Sequence, residues 1–168
     1  MAPTLDDEGK PGGSSRIARA KLLLPIIALS VVTLDQLSKI LVVTYMYLGQ
    51  SIPGEGFFRL SYRTNTGGAF SILQNQGFLL TIAAAIGITV LIVYLRYLPL
   101  ESTLLKVGLG LAMGGAVGNL IDRLRFGEVT DFIDVGFWPV FNLADSAITI
   151  GSLIIAYYLL STARGRVH

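Results

Sequence analysis

The sequence has 168 residues, of which 52% are hydrophobic and only 14% are charged, and its mean hydropathy is +0.65. About a quarter of the residues in a typical soluble domain are charged, so this composition indicates a membrane protein. A formal net charge of +2, without a run of basic residues, argues against nucleic-acid binding. There is no cysteine, and the single histidine, His168, stands at the end of the sequence. We therefore expect no thiol chemistry, no histidine-based triad, no metal and no cofactor.

Residues 1–15 are rich in Gly, Pro, Ser and acidic residues and show no apolar period, so they predict a disordered tail. The remainder, 16–168, is predicted to be a single membrane-embedded domain. It contains four apolar stretches, each near the ~20 residues that cross a bilayer, at about 22–48, 77–98, 104–124 and 142–161. The predicted fold is an all-α membrane protein, a bundle of four transmembrane helices.

The lysine and arginine residues predict how the bundle is oriented, because cytoplasmic loops carry more of them than external loops. Eight lie on the side of the two termini and the turn at 98–104, namely Lys10, Arg16, Arg19, Lys21, Arg96, Lys106, Arg164 and Arg166. Four lie on the opposite side, namely Arg59, Arg63, Arg123 and Arg125. Both termini are therefore predicted to be cytoplasmic.

Two segments are predicted to lie outside the membrane on the opposite face. Residues 49–76 contain a strand-like run at 57–62, which predicts a small β-sheet on the membrane surface. Residues 125–141 are predicted to form a loop or short helix that carries Asp131 and several aromatic residues. Within it, Trp138 beside Pro139 is typical of an anchor at the membrane interface.

Polar residues gather at the outward ends of the third and fourth spans. Asn119, Asp122 and Arg123 have the i, i+3 and i, i+4 spacing that places them on one helical face, and Asn142 and Asp145 are also i, i+3. At a rise of ~1.5 Å per residue, Asp145 lies about one turn below the interface. Both groups are therefore predicted to lie at the same depth on the same side.

Some of these residues also have purely structural interpretations. Asp122 and Arg123 are of the kind that ends a helix at the interface, and Asn142 is a favoured N-cap residue. Asp145 has no comparable structural purpose. An ionisable group in a membrane segment costs several kcal/mol unless it faces a partner or a wet cavity, so a functional role is the first interpretation.

Asp131 suggests what that role is. If the segment that carries Asp131 folds back onto the start of the fourth span, the two carboxyl groups share a proton and activate water, as in an aspartic peptidase. Glu128 and Asp134 lie close by in the same segment, so the residues leave open which acid faces Asp145.

Two further patterns occur within the spans. Asp35 and Lys39 are i, i+4 in the first span, which fits either a pair within the helix or a contribution of Asp35 to the site. Gly110, Gly114 and Gly118 form a small-xxx-small row in the third span, which predicts close helix packing.

The polar residues also leave two rival functions, an ion-coupled transporter with Asp35, Asp122 and Asp145 as relay groups, and a non-catalytic membrane scaffold.

Five motifs, in this order, resemble those of the lipoprotein signal peptidases (signal peptidase II), a family of bacterial inner-membrane aspartic peptidases. They are LDQLSK at 34–39, NTGGAFS at 65–71, GGAVGNLIDR at 114–123, VTDF at 129–132 and FNLADS at 141–146. Two departures, Arg63-Thr64 in place of an adjacent aromatic residue and Gly68 in place of a common alanine, touch no proposed catalytic group.

The resemblance implies that Asp131 and Asp145 are the catalytic pair. It also implies a pocket lined by Asn65, Asn119, Arg123 and Asn142, with supporting roles for Asp35, Asp122, Lys39 and Gly67. The implied substrates are diacylglyceryl-modified prolipoproteins, cut N-terminal to the lipidated cysteine. Membrane lipids and cyclic peptide antibiotics are the other implied partners. A monomer is expected, in the bacterial inner membrane, with its active site near the periplasmic surface.

Overall fold

The computed structural model describes residues 13–66, 77–95 and 102–165. In chain order the elements are helix α1 (Gly13–Tyr45), strands β1 (Ser51–Ile52) and β2 (Arg59–Asn65), helices α2 (Gly77–Leu95) and α3 (Thr103–Phe126), strand β3 (Val129–Asp134) and helix α4 (Leu143–Gly165). The protein is therefore mostly helical, as predicted. Gly67 and residues 1–12 of the predicted tail lie outside the described residues, and residues 13–15 form the start of α1.

Three of the described helices are long and apolar enough to cross a membrane, over Leu22–Tyr45, Thr103–Phe126 and Leu143–Ala163. The apolar part of α2, Phe78–Val93, is shorter. The spans predicted from residues 22, 104 and 142 thus correspond to α1, α3 and α4. The predicted count of four spans stays a prediction.

Helix α3 lies at the centre of the bundle and packs against both α1 and α4. Its glycines make this possible, because a Cβ at Gly114 would lie 2.7 Å from the carbonyl oxygen of Ala28 in α1. On the other face of α3, a Cβ at Gly115 would collide with the carbonyl oxygen of Ala144, in the first turn of α4. The packing predicted for the glycine row of α3 is confirmed.

The three strands form one antiparallel sheet in the order β1-β2-β3. The strand-like run predicted at 57–62 begins two residues too early and ends too early, because β2 starts at Arg59 and continues to Asn65. In the register of β2 and β3, Arg63 lies opposite Asp131 and Asn65 lies opposite Val129. The sheet therefore brings Asn65 close to the segment that carries Asp131.

The prediction of a loop or short helix around Asp131 is wrong, because this residue lies on β3. The backbone of β3 pairs with β2 on one side, and on the other Ile133 forms a bridge with Phe141, with N–H···O distances of 2.7 and 3.0 Å. β-Branched and aromatic residues dominate Val129–Asp134, which favours a strand over a helix.

We expect Gly115→Ala to lower the Tm of the purified protein in detergent. The added methyl group has no room against the backbone of Ala144, and overpacking of this kind costs about 1–3 kcal/mol. The matched control is Gly87→Ala in α2, where an added Cβ meets nothing within 4 Å, and it should leave the Tm unchanged or raise it. An unchanged Tm for Gly115→Ala would contradict the tight contact between α3 and α4.

Candidate active site

Asp131 is almost completely buried, with 3% of its surface exposed. Its two oxygens accept hydrogen bonds from two different amides. The Nδ2 of Asn142 donates to Oδ1 over 2.6 Å, and the Nδ2 of Asn65 donates to Oδ2 over 3.1 Å. The carboxyl group is therefore held from both sides, by the end of β2 and by the residue that precedes α4.

Asp145 lies in the first turn of α4, where it takes part in a reciprocal cap. The Oδ1 of Asn142 accepts a hydrogen bond from the Asp145 backbone N–H at 2.8 Å, and the Asn142 N–H points back to Asp145 Oδ2 at 3.4 Å. This arrangement has the pattern of a capping box, with Asn142 as N-cap. The second carboxylate oxygen, Oδ1, accepts from Asn119 Nδ2 at 2.8 Å.

Asn142 connects the two carboxyl groups. Its Nδ2 contacts Asp131 and also lies 3.2 Å from Asn119 Oδ1 and 3.3 Å from the carbonyl oxygen of Thr130, while its Oδ1 and backbone N–H face Asp145. The residue is completely buried and does not line the cavity described below. Its polar atoms are used to hold the two acids in place.

A cavity of about 560 Å³ opens beside these groups. Its polar end is formed by Asn65, Asn119, Arg123, Asp131 and Asp145. The rest of its wall is mainly apolar and comes from the segment after β3 and from α4, including Phe137, Trp138, Pro139, Val140, Phe141 and Ile148. Both predicted catalytic acids and three of the four predicted binding residues therefore meet in one cavity.

The pKa of Asp131 is raised from 3.8 to about 7. Burial is the largest cause, and the negative charge of Asp145 adds to it, while the hydrogen bonds from Asn65 and Asn142 act in the opposite direction. Arg123 is half-buried and carries a positive charge that interacts with both acids. Asp131 therefore holds a proton up to about neutral pH, beside a second carboxyl group.

The other two acids of this segment lie elsewhere. Asp134 forms an ion pair with Arg59 at 2.8 Å and accepts a hydrogen bond from Ser61 Oγ at 2.8 Å, and these contacts, the Arg59 hydrogen bond first, lower its pKa to about 2. Neither Asp134 nor Glu128 lines the cavity. The structure thus identifies Asp131 as the acid that shares the cavity with Asp145.

The supporting residues form a buried cluster behind the cavity. The Nζ of Lys39 lies 2.8 Å from Asp35, which is the ion pair within α1 that the i, i+4 spacing predicted. The same Nζ also lies 2.9 Å from Asp122, so a second acid, from α3, joins the pair. Asp35 accepts a hydrogen bond from the N–H of Ala144 at 3.0 Å, and Asp122 accepts from the N–H of Thr130 at 3.2 Å. The two acids thus fix the residues that precede Asp145 and Asp131.

Two contributors to this region were not assigned a role from the sequence. Gln36 donates to Asp122 Oδ1 at 2.9 Å and to the carbonyl oxygen of Gly118 at 3.2 Å, and the Arg59–Asp134 ion pair joins β2 to the end of β3. A glutamine inside an apolar span indicates a buried polar contact, so Gln36 could have been assigned a supporting role from the sequence. The ion pair has no local signal, because its members are 75 residues apart.

Solved structures of known proteins share this fold. Two structures, each described as a bacterial membrane enzyme, superpose with TM-scores of 0.73 and 0.70 at 34% and 33% sequence identity. The first alignment covers 83% of this chain and 88% of the other protein, and the second covers 82% and 92%. Together with the apolar helices around a polar cavity, this similarity defines a membrane enzyme.

Sequence comparisons identify the family. A family model described as signal peptidase (SPase) II matches residues 27–161. The lipoprotein signal peptidase of Moorella thermoacetica is 46% identical over 144 residues, which is 82% of this chain and 93% of that protein. The enzyme of Shouchella clausii is 49% identical over 129 residues, covering 75% and 85% of the two chains. The chain belongs to the lipoprotein signal peptidases, which remove signal peptides from lipoprotein precursors. The transporter and scaffold alternatives find no support in these similarities.

We expect the stability of the protein to fall as the pH rises from about 4 to about 7, through the titration of Asp131. Because the folded state raises the pKa of this acid from 3.8 to about 7, it binds a proton that the unfolded chain has released. The stabilisation is complete below the unfolded value and is lost above the folded value. The Tm of Asp131→Asn should therefore fall less between pH 5 and pH 8 than the Tm of the wild type, and an equal fall in both would contradict the raised pKa.

Proposed function

We propose that the protein is an aspartic endopeptidase in which Asp131 and Asp145 cut diacylglyceryl-modified prolipoproteins on the N-terminal side of the lipidated cysteine. The observation that carries this proposal is that both carboxyl groups line one cavity and are held by the same buried residue, Asn142. Membership of the lipoprotein signal peptidase family supports the substrate class.

The chemistry follows from two acids in a mostly apolar setting. Two neighbouring carboxyl groups do not both ionise readily, so the pair holds one proton over a range of pH. The raised pKa of Asp131 supports this arrangement. The ionised member takes a proton from a water molecule that attacks the scissile carbonyl, and the protonated member donates a hydrogen bond to the carbonyl oxygen as negative charge develops there. When the tetrahedral intermediate collapses, the amine leaving group receives a proton from the pair.

The remaining polar residues divide into two groups by exposure to the cavity. Asn65, Asn119 and Arg123 line it and are proposed to bind the peptide backbone, which would tolerate variable signal sequences. Asn142, Asp35, Asp122 and Lys39 are buried, so their proposed contribution is to hold the catalytic acids. The resemblance assigns a further supporting role to Gly67, which lies outside the described residues.

The apolar part of the cavity suits the lipid part of the substrate. Its wall runs from Trp138 and the neighbouring residues to Ile148, Thr149 and Ile150 on α4, a helix long enough to span a membrane. Acyl chains can therefore lie along α4 while the peptide bond meets the acids at its N-terminal end. Cyclic peptide antibiotics of this family are proposed to occupy the same cavity, and membrane lipids its surroundings.

In its membrane setting, the protein is proposed to be a monomer in the bacterial inner membrane. Four spans within a single domain at 16–168 would place both termini in the cytoplasm and the cavity near the periplasmic surface. The excess of lysine and arginine near the termini supports this orientation.

We expect Asp131→Asn and Asp145→Asn each to reduce kcat for a lipidated precursor peptide by at least ~10²–10⁴-fold, because each removes a group needed for proton transfer. Cleavage is measured with purified protein in detergent, and the Tm of each variant reports whether it folds. Glu128→Gln, in the same segment but outside the cavity, is the matched control and should keep wild-type activity. Near wild-type cleavage by either aspartate variant would refute the catalytic pair.

We also expect the same peptide without its acyl chains to be cut with a kcat/KM lower by at least ~100-fold, because the lipid contributes binding energy that positions the bond. The comparison is made at identical detergent concentration with both peptides soluble. Equal kcat/KM values for the two peptides would show that the apolar wall plays no part in substrate selection.

A further inference from the structure

Lys39 makes a contact that its charge does not require. Its side chain is 4% exposed, and its ammonium group is already paired with Asp35 and Asp122. Its third hydrogen bond goes to a neutral group, the Oδ1 of Asn119, at 2.9 Å. Three donors thus meet three acceptors on two helices, and this third contact links the buried cluster to the cavity.

The chemistry of the ammonium group determines which end of the Asn119 amide faces it. An ammonium has three donors and no acceptor, so it attracts the amide oxygen and repels the NH2 group. A second donor, Asn142 Nδ2, lies 3.2 Å from the same oxygen. With Oδ1 held in this way, Asn119 Nδ2 must point to the other side, where it donates to Asp145 Oδ1 at 2.8 Å.

We propose that Lys39 is a positioning residue of the active site, which fixes the orientation of the Asn119 amide and thereby keeps a hydrogen-bond donor on Asp145. This inference rests on the proposed catalytic role of Asp145. Without the ammonium, Asn119 Oδ1 keeps only the longer contact from Asn142 Nδ2 at 3.2 Å, so the amide is held less firmly in the orientation that donates to Asp145. The hydrogen bond that holds the Asp145 carboxyl group in place would then be weakened.

The groups that face Asp145 define what else acts on it. Among the described residues they are Asn119 from α3, the backbone N–H of Asn142 that precedes α4, the positive charge of Arg123 and the carboxyl group of Asp131. Only the first of these is hydrogen-bonded to Lys39, although the charge of Lys39 also acts on Asp131 over a longer distance. The proposal therefore predicts that Lys39 and Asn119 act as a unit, and that the effect of Lys39 is transmitted through Asn119.

A double-mutant cycle tests this prediction in a background that reduces the buried charge left behind when Lys39 is removed. Removing Lys39 from the wild type would leave two buried carboxylates without a cation, whereas in Asp35→Asn it leaves one, Asp122, so the cycle is made with Asp35→Asn throughout. In that background, Lys39→Met should lower kcat for the lipidated precursor peptide about 10- to 100-fold, the loss expected for one hydrogen bond to a charged group. The KM should change less than kcat, because the contact that is lost is the one to Asp145, while Asn65 and Arg123, the other residues proposed to bind the peptide backbone, are unaltered.

The same Lys39→Met change is then made in Asp35→Asn/Asn119→Ala, where it should have little further effect on kcat. An equal loss in both backgrounds would show that Lys39 acts independently of Asn119, through packing or through its charge, and would overturn the proposal. So would unchanged kcat after Lys39→Met in Asp35→Asn. The Tm of each variant confirms that the compared proteins are folded.

A second variant keeps the proposal testable if the lysine variants do not fold. Asn119→Ala keeps the ion cluster of Lys39, Asp35 and Asp122 but removes the NH2 donor to Asp145, so it should lose at least as much kcat as Lys39→Met. Wild-type kcat in Asn119→Ala would overturn the proposal. Activity of Asp145→Asn is measured alongside: if that variant cleaves normally, the proposed function itself fails, whereas its inactivity together with an additive cycle refutes only the role of Lys39.

Discussion

One buried ammonium group holds together the parts of the protein that carry the two catalytic candidates. Isolated charges in an apolar interior are strongly unfavourable, so Lys39, Asp35 and Asp122 are stable there only as a cluster whose hydrogen bonds are all made. The cluster is complete, because none of the buried side-chain polar atoms in the described residues lacks a partner. Each acid also accepts a backbone hydrogen bond, Asp35 from α4 and Asp122 from β3. The positions of the helix start and of the strand thus both depend on the same cation.

The glycines of α3 are the steric condition for this arrangement. A Cβ at Gly118 would lie 2.6 Å from a carboxylate oxygen of Asp35, and a Cβ at Gly115 would collide with the backbone of Ala144. The row that allows three helices to approach closely therefore also makes room for the charged cluster between them. The same glycines therefore serve helix packing and the ion cluster, because a larger residue at these positions of α3 would displace both α4 and Asp35.

The sequence predicted the parts of this structure that depend on local periodicity. Hydropathy located α1, α3 and α4, helical spacing placed Asn119 with Arg123, and residue type identified Asn142 as an N-cap. It did not predict that Asp131 lies on a strand, because a short buried strand has no long periodic pattern and its partners come from β2, some 66 residues away. The link between Lys39 and Asn119, 80 residues apart, likewise exists only in three dimensions.

Asp145 has two structural relationships at once, because the carboxylate that faces the cavity also closes the first turn of its own helix. The depth of this acid in the bilayer is consequently determined by where α4 begins. Lengthening the helix at its far end or changing its lipid-facing surface leaves that depth unaltered, whereas moving the first turn by one residue would rotate the acid by about 100° away from its partner. A change in the length of this hydrophobic helix would therefore leave the acid in place only if it were made at the end of α4 remote from the cavity.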